Sequence, residues 1–146
     1  MKFINSICFA AAALLSGCAF NVAPYGASVK NVESLKAISV KPVSVAKFQA
    51  AKPGLTTITC RAAGPVTVNP SFESFIEAAF IDELKLAGAY DPKSSLILTG
   101  RLDEVDFRSG ITDGKWQFTV TITNSKNHSY STKSVYPFSG SFIADR

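Results

Sequence analysis

Few side chains in this sequence have a type and spacing that could do chemistry. The sharpest pair is acidic: in Asp103-Glu104-Val105-Asp106, strand alternation puts Glu104 and Asp106 on one face about 7 Å apart. That separation falls within the range of the acid and base of an inverting glycosidase. Arg101 and Arg108 flank the pair, and acids on the exposed half of a strand are ordinarily solvated and salt-bridged. The bland reading therefore outweighs the hydrolytic one, and no catalytic residue and no enzyme activity are expected. His128 is the one histidine, next to Asn127 on a polar hairpin tip. No Cys or His cluster has metal-ligand spacing, no glycine-rich loop cradles phosphate, and no Gly-x-Ser-x-Gly elbow occurs. Neither a metal nor a cofactor is implied. There remain the three cysteines. Cys18 closes the stretch Leu14-Leu15-Ser16-Gly17-Cys18, and a cysteine thiolate is a good nucleophile.

What would position that thiol is the segment before it. Met1 and Lys2 supply positive charge, residues 7 to 15 form an uncharged run rich in Ala and Leu, and Ser16-Gly17 are small. This is the layout of a removable secretory signal. A membrane-spanning helix needs about 20 apolar residues, and Asn21 with the Pro24-Tyr25-Gly26 turn follows too early for one.

Leu15-Ser16-Gly17-Cys18 resembles the lipobox of bacterial lipoproteins. The resemblance implies cleavage between Gly17 and Cys18, an S-diacylglycerol on the Cys18 thiol and an N-palmitoyl group on its new amino terminus. A single acyl chain anchors marginally, and two or three hold a protein on a membrane. Ala19 in place of an aspartate implies, by the same resemblance, the outer membrane with the domain facing the periplasm, the inner membrane being the lesser alternative. Ordinary secretion with cleavage after Ala19 is the competing outcome.

Removing residues 1–17 leaves enough chain for one domain. With 47% hydrophobic residues and 11 Phe, the mature chain is expected to fold rather than form a disordered stalk. Cys60 is the single thiol left after Cys8 departs with the signal and Cys18 takes lipid; a buried small hydrophobe is a likelier fate for it than a reactive group. The net charge of +4 is unevenly spread. From Cys18 to Pro70 six basic residues (Lys30, Lys36, Lys41, Lys47, Lys52, Arg61) face one acid, Glu33. This stretch is either a solvated face or, more sharply, a surface for anionic headgroups or polysaccharide. Nucleic acid is not an expected partner of an exported chain.

The elements read as follows. Residues 18–27 form a tether, and Ser28 caps a turn or two of helix at most. Residues 40–48 form a strand that begins near Pro42 or lies at an edge, Lys52-Pro53-Gly54 turns the chain, and 55–61 is a second strand. About residues 70–87 form the best helix. Phe72, Phe75, Ile76, Ala79, Phe80, Leu84 and Ala87 recur at spacings of three and four, while Glu73, Glu77, Asp82, Glu83 and Lys85 fall mainly elsewhere. Ser71 or Asn69 caps its start and Gly88 ends it. Three β-rich segments follow, 95–107, 115–124 and 129–142. In the middle one, Trp116, Phe118, Val120 and Ile122 alternate with Gln117, Thr119, Thr121 and Thr123, as in a half-buried antiparallel strand. In the first, the apolar face switches between Leu102 and Val105, which calls for a bulge near Asp103-Glu104.

The expected fold is α+β: one long amphipathic helix packed on a mostly antiparallel sheet of about five strands. In domain terms, 1–17 is a lipoprotein signal peptide, 18–27 a tether and 28–146 a single α+β periplasmic domain. The layout resembles small periplasmic lipoproteins of the YajG type. Pro24-Tyr25-Gly26, Cys60-Arg61, and Asp82-Glu83-Leu84 through Ala87-Gly88 resemble an uncharacterised proteobacterial lipoprotein family. That resemblance implies a further C-terminal helix, so a chain ending at Arg146 just after a strand would be a reduced or shortened version. The expected function is a non-catalytic, membrane-anchored envelope lipoprotein that binds a partner protein or supports outer-membrane assembly. The alternative is lipid or polysaccharide binding through segment 30–61, and the least favoured is a carboxylate-dependent hydrolase.

Overall fold

The computed structural model describes residues 20–60, 64–109 and 113–139. Gly17, Cys18 and the signal segment lie outside these residues, as do Arg61 and the side chain of Cys60. The chain runs β1 (Phe20–Asn21), α1 (Val29–Ala37), β2 (Ser44–Ala50), β3 (Thr57–Cys60), β4 (Gly64–Thr67), α2 (Phe72–Leu86), β5 (Ile97–Ser109), β6 (Asp113–Asn124) and β7 (Ser129–Ser139).

These elements correct the expected fold class. Instead of one helix on about five strands, the strands divide into a four-stranded sheet of order β2–β5–β6–β7 and a three-stranded sheet of order β1–β4–β3. The larger sheet is mixed: β2 and β5 are parallel, whereas β5–β6 and β6–β7 are antiparallel. The parallel pair arises because the chain leaves β2 and returns as β5 through α2, a long crossover that parallel neighbours require. A strand of two residues carries no periodicity to be read, and Gly64-Pro65 looks like a breaker. Hence β1 and β4 escape a reading by pattern. The first helix is also longer than expected, nine residues capped by the Ser28 hydroxyl.

α2 forms where the apolar spacing places it. The Ser71 hydroxyl accepts from the Ser74 N–H, Glu73 sits in the first turn, and Gly88 follows at positive φ. Its apolar stripe lies on β2 and β5, making a core of Val43, Leu84 and Ala89 with Phe80, Leu96 and Leu98 against it. Phe48 of β2 packs on Phe80, ring centroids 5.8 Å apart, and fills the space above Gly100. A second core joins the N-terminal end of α2 to both sheets through Val68, Phe72 and Leu102. The bulge falls where the face switch requires it: the β5–β6 register shifts between Leu102 and Glu104. Leu102, Val105 and Phe107 then share the inner face with Val120, Phe118 and Trp116, their partners on β6.

Candidate functional site: an apolar groove beside a buried carboxylate

The inner face of β6 and β7 is not covered by α2. Cross-strand register sets Val120 beside Thr132, Phe118 beside Ser134 and Trp116 beside Tyr136, so the face grades from large apolar groups to small hydroxyls toward the β7 edge. Trp116 and Phe118 stack at 5.6 Å with planes 9° apart, and Phe118 meets Tyr136 edge-on at 6.4 Å. Along α2, Phe75, Ile76, Ala79 and Phe80 form the opposite wall, and Val22 and Tyr25 of the N-terminal segment close one side. The result is a groove of about 660 Å³, a size that accommodates a small ligand. Exposed Tyr136, 60% accessible, extends apolar surface along the β7 edge.

Among the described residues one charged side chain borders this groove. Glu83 is only 7% exposed, although helical spacing puts it among the polar residues of α2. Its Oε1 accepts from the Tyr25 hydroxyl, from the Ser28 N–H at 2.7 Å and from Asn31 Nδ2 at 3.4 Å. Its Oε2 is buried with no hydrogen-bond partner among the described residues. Burial pushes the Glu83 carboxyl up, but the bonds from Tyr25, Ser28 and Asn31 outweigh it and hold the carboxyl below its ordinary value. Burial and the same carboxylate raise the Tyr25 hydroxyl. The group is thus an anion at neutral pH, seated at the N-terminal end of α1 where the helix dipole favours it.

Two other glutamates of α2 act alike. Glu77 Oε2 accepts from the Phe48 N–H at 2.7 Å, beside the register shift between Ala46 and Gln49 where the ladder to β5 is interrupted. Glu73 Oε1 accepts from the Gly54 N–H at 2.8 Å. Burial raises the Glu73 carboxyl, and the N–H groups of Gly54 and of Glu73 itself, the Ser71 hydroxyl and Lys47 more than offset that. Pattern reading missed these roles, because it assigns charge at helical spacing to solvent; the signal that could have exposed them is the proximity of a Gly-containing turn and a capped helix to the same face.

The remaining expected site residues lie elsewhere. Glu104 and Asp106 are on the outer face of the sheet and are already engaged. Glu104 accepts from Gln117 Nε2 at 2.8 Å and Thr119 Oγ1 at 3.2 Å and faces Lys133 at 3.7 Å; Asp106 pairs with Arg108 Nε at 2.6 Å. A recess of about 90 Å³ touches Glu104 with Lys52, Leu55 and Leu102, and Asp106 is not part of its lining. Asn127 adopts positive φ on the hairpin tip, and the His128 N–H donates to Asn124 Oδ1. Lys30, Lys36, Lys41, Lys47 and Lys52 are all exposed, spread over α1, the following connection, β2 and the next turn, and none lines the groove. Among the described residues no group of three or more acidic, His or Cys side chains could hold a metal ion, and no helix is long and apolar enough to cross a membrane.

No family model and no curated protein matches this sequence. Among solved structures, the fold is similar to the crystal structure of protein XCC0632 from Xanthomonas campestris, of the DUF330 family model. The match has a TM-score of 0.51 and 13% identity and covers 87% of this chain and 81% of that one. At that identity the likeness shows the fold. DUF330 is a bacterial family of unknown function.

Proposed function

We propose that this chain is a non-catalytic envelope lipoprotein, anchored through Cys18 to the outer membrane and facing the periplasm, whose groove binds the apolar part of a membrane amphiphile. The observation that carries this reading is the open apolar face of β6 beside α2, reached by the segment that leads to the anchor. Val22 lines the groove and stands four residues after Cys18, so the anchor lies within about 14 Å of it along an extended chain. A lipid-lined surface is thereby held next to the groove. No lysine or arginine among the described residues lines the groove, which moves the ligand away from the basic segment 30–61 and toward hydrocarbon.

Two measurements test the reading. Mass spectrometry of the chain recovered from membranes is expected to find an N-terminus at Cys18 carrying a diacylglyceryl group and an amide-linked acyl chain; an unmodified product starting at Phe20 removes the anchor. Titration of the mature chain, residues 18–146 with Cys18→Ser, with N-phenyl-1-naphthylamine is expected to give saturable fluorescence that Phe118→Asp abolishes. A chain that leaves the probe dark, yet crosslinks through Tyr136 to an envelope protein, would instead make the groove a seat for a partner's helix, since two strands span about 10 Å, the width of one helix.

A further inference from the structure

We propose that the groove selects its amphiphile by headgroup: Glu83 admits an uncharged or cationic hydrogen-bond donor, such as a glycerol hydroxyl or an ammonium, and turns away carboxylates and phosphates. This rests on the reading of the groove as a lipid site. Among the described residues that line it Glu83 alone is charged, and none of them is a Lys, Arg or His that could neutralise an anionic head. None of the ion pairs among the described residues involves Glu83. Three protein donors are committed to Oε1, whereas Oε2 is buried and has no hydrogen-bond partner among the described residues. A buried acceptor without a donor costs free energy, and a ligand donor that reaches it recovers that cost without breaking an existing bond. A carboxylate or phosphate at the same place would meet an uncompensated like charge in a weakly screened site.

The other polar groups around the groove fit this division. Asn31 is held to Oε1, and the Thr132 and Ser134 hydroxyls face the groove from β7, where they can hydrate a neutral head but cannot balance an anionic one. The apolar chain would then lie along Trp116, Phe118 and Phe75.

The test is displacement of N-phenyl-1-naphthylamine from the mature Cys18→Ser chain at pH 7.5 by three amphiphiles of equal chain length: monolauroylglycerol, dodecylamine and laurate. Monolauroylglycerol and dodecylamine are expected to displace the probe at least about tenfold more tightly than laurate, the size of effect one poorly screened charge produces. Glu83→Gln is expected to bring laurate to within about threefold of monolauroylglycerol, by removing that charge. Because Glu83→Gln also disturbs the Tyr25 and Ser28 bonds, Thr132→Lys provides a second route: it adds a cation at an exposed wall position and is expected to raise laurate affinity in an otherwise intact chain. Laurate binding as tightly as monolauroylglycerol to the unsubstituted chain overturns the selection while leaving the groove a lipid site. Failure of all three to displace a bound probe overturns both.

Discussion

The two halves of the four-stranded sheet are finished in opposite ways. Over β2 and β5, α2 lays down Phe80 and Leu84, Phe48 fills the gap left by Gly100, and Val43, Leu84 and Ala89 are almost completely withdrawn from water. Over β6 and β7 the same face carries equally large groups, Trp116, Phe118 and Val120, and leaves all three half-buried. These three pack on one side against the Val68, Phe72 and Leu102 core and on the other are left open, and apolar surface left open is what interaction sites are made of. The difference teaches that a closed core and an open apolar groove stand side by side on one face of one sheet, with α2 as the divide.

The comparison breaks first if the closed half tolerates truncation. Leu84→Ala is expected to cost about 2–5 kcal/mol by urea denaturation, as for other buried leucines. Val120→Ala, on the open half, is expected to cost less, under about 1.5 kcal/mol, since a partly buried side chain forfeits only part of its transfer energy. Equal losses at the two sites would mean that the groove is as tightly packed as the core.

Gly100→Ala sharpens the same contrast by overpacking. A Cβ at Gly100 would run into the Phe48 ring, which is 3% exposed and hemmed in by Phe80. A cost of about 1–3 kcal/mol is expected, and Phe48→Leu in the same chain should restore part of it. A neutral Gly100→Ala would show that the ring has room to retreat.

The divide itself is held by the glutamates of α2, and their contribution is readable through pH. Glu83→Gln is expected to lose about 1–3 kcal/mol at pH 7, the range for disturbing a buried charged acceptor and its donors. Because the folded-state carboxyl lies below its ordinary value of 4.5, the unfolded chain binds more protons just below that value. Wild-type stability is therefore complete above it and is lost as pH falls through the acid range. The gap between wild type and Glu83→Gln should narrow from pH 7 to pH 3, with Glu73, shifted in the same direction, eroding both forms together. A gap that does not change with pH would mean Glu83 contributes by shape and not by charge.

How much of this was legible before the fold depends on element length. α2, with apolar residues at spacings of three and four, and β6, with strict alternation from Trp116 to Ile122, carry enough periodicity to be read directly. The bulge was legible too, because one extra residue must separate Leu102 from Val105 on a common face. Short elements were not: β1 is two residues long, and Pro65 inside β4 disguised a strand as a turn, so the second sheet stayed hidden and the fold class was misread. The parallel pairing of β2 with β5 is set by a crossover, not by any residue within either strand. By spacing Glu83 reads as one more solvent-facing polar residue of the helix, since nothing local reveals that Tyr25, Ser28 and Asn31 converge on it from more than 50 residues away.

The smallest effect is expected on the outer face of the same sheet, where the carboxylates that looked most like chemistry reside. Lys133 and Glu104 are 55% and 45% exposed at 3.7 Å, and Arg101 stands 3.2 Å from Asp103 with 58% exposure. Exposed pairs of this kind contribute about 0–1 kcal/mol. Lys133→Ala is therefore expected to shift the urea midpoint barely and to lose even that shift in 1 M salt, where the screening length falls to about 3 Å. Glu104→Gln should behave likewise, because the amide oxygen can still accept from Gln117 Nε2 while the amide NH2 donates to the Thr119 hydroxyl. A loss above about 2 kcal/mol from either change would exceed what solvated pairs supply, and would show that the outer face, like the covered inner one, is part of what holds the sheet together.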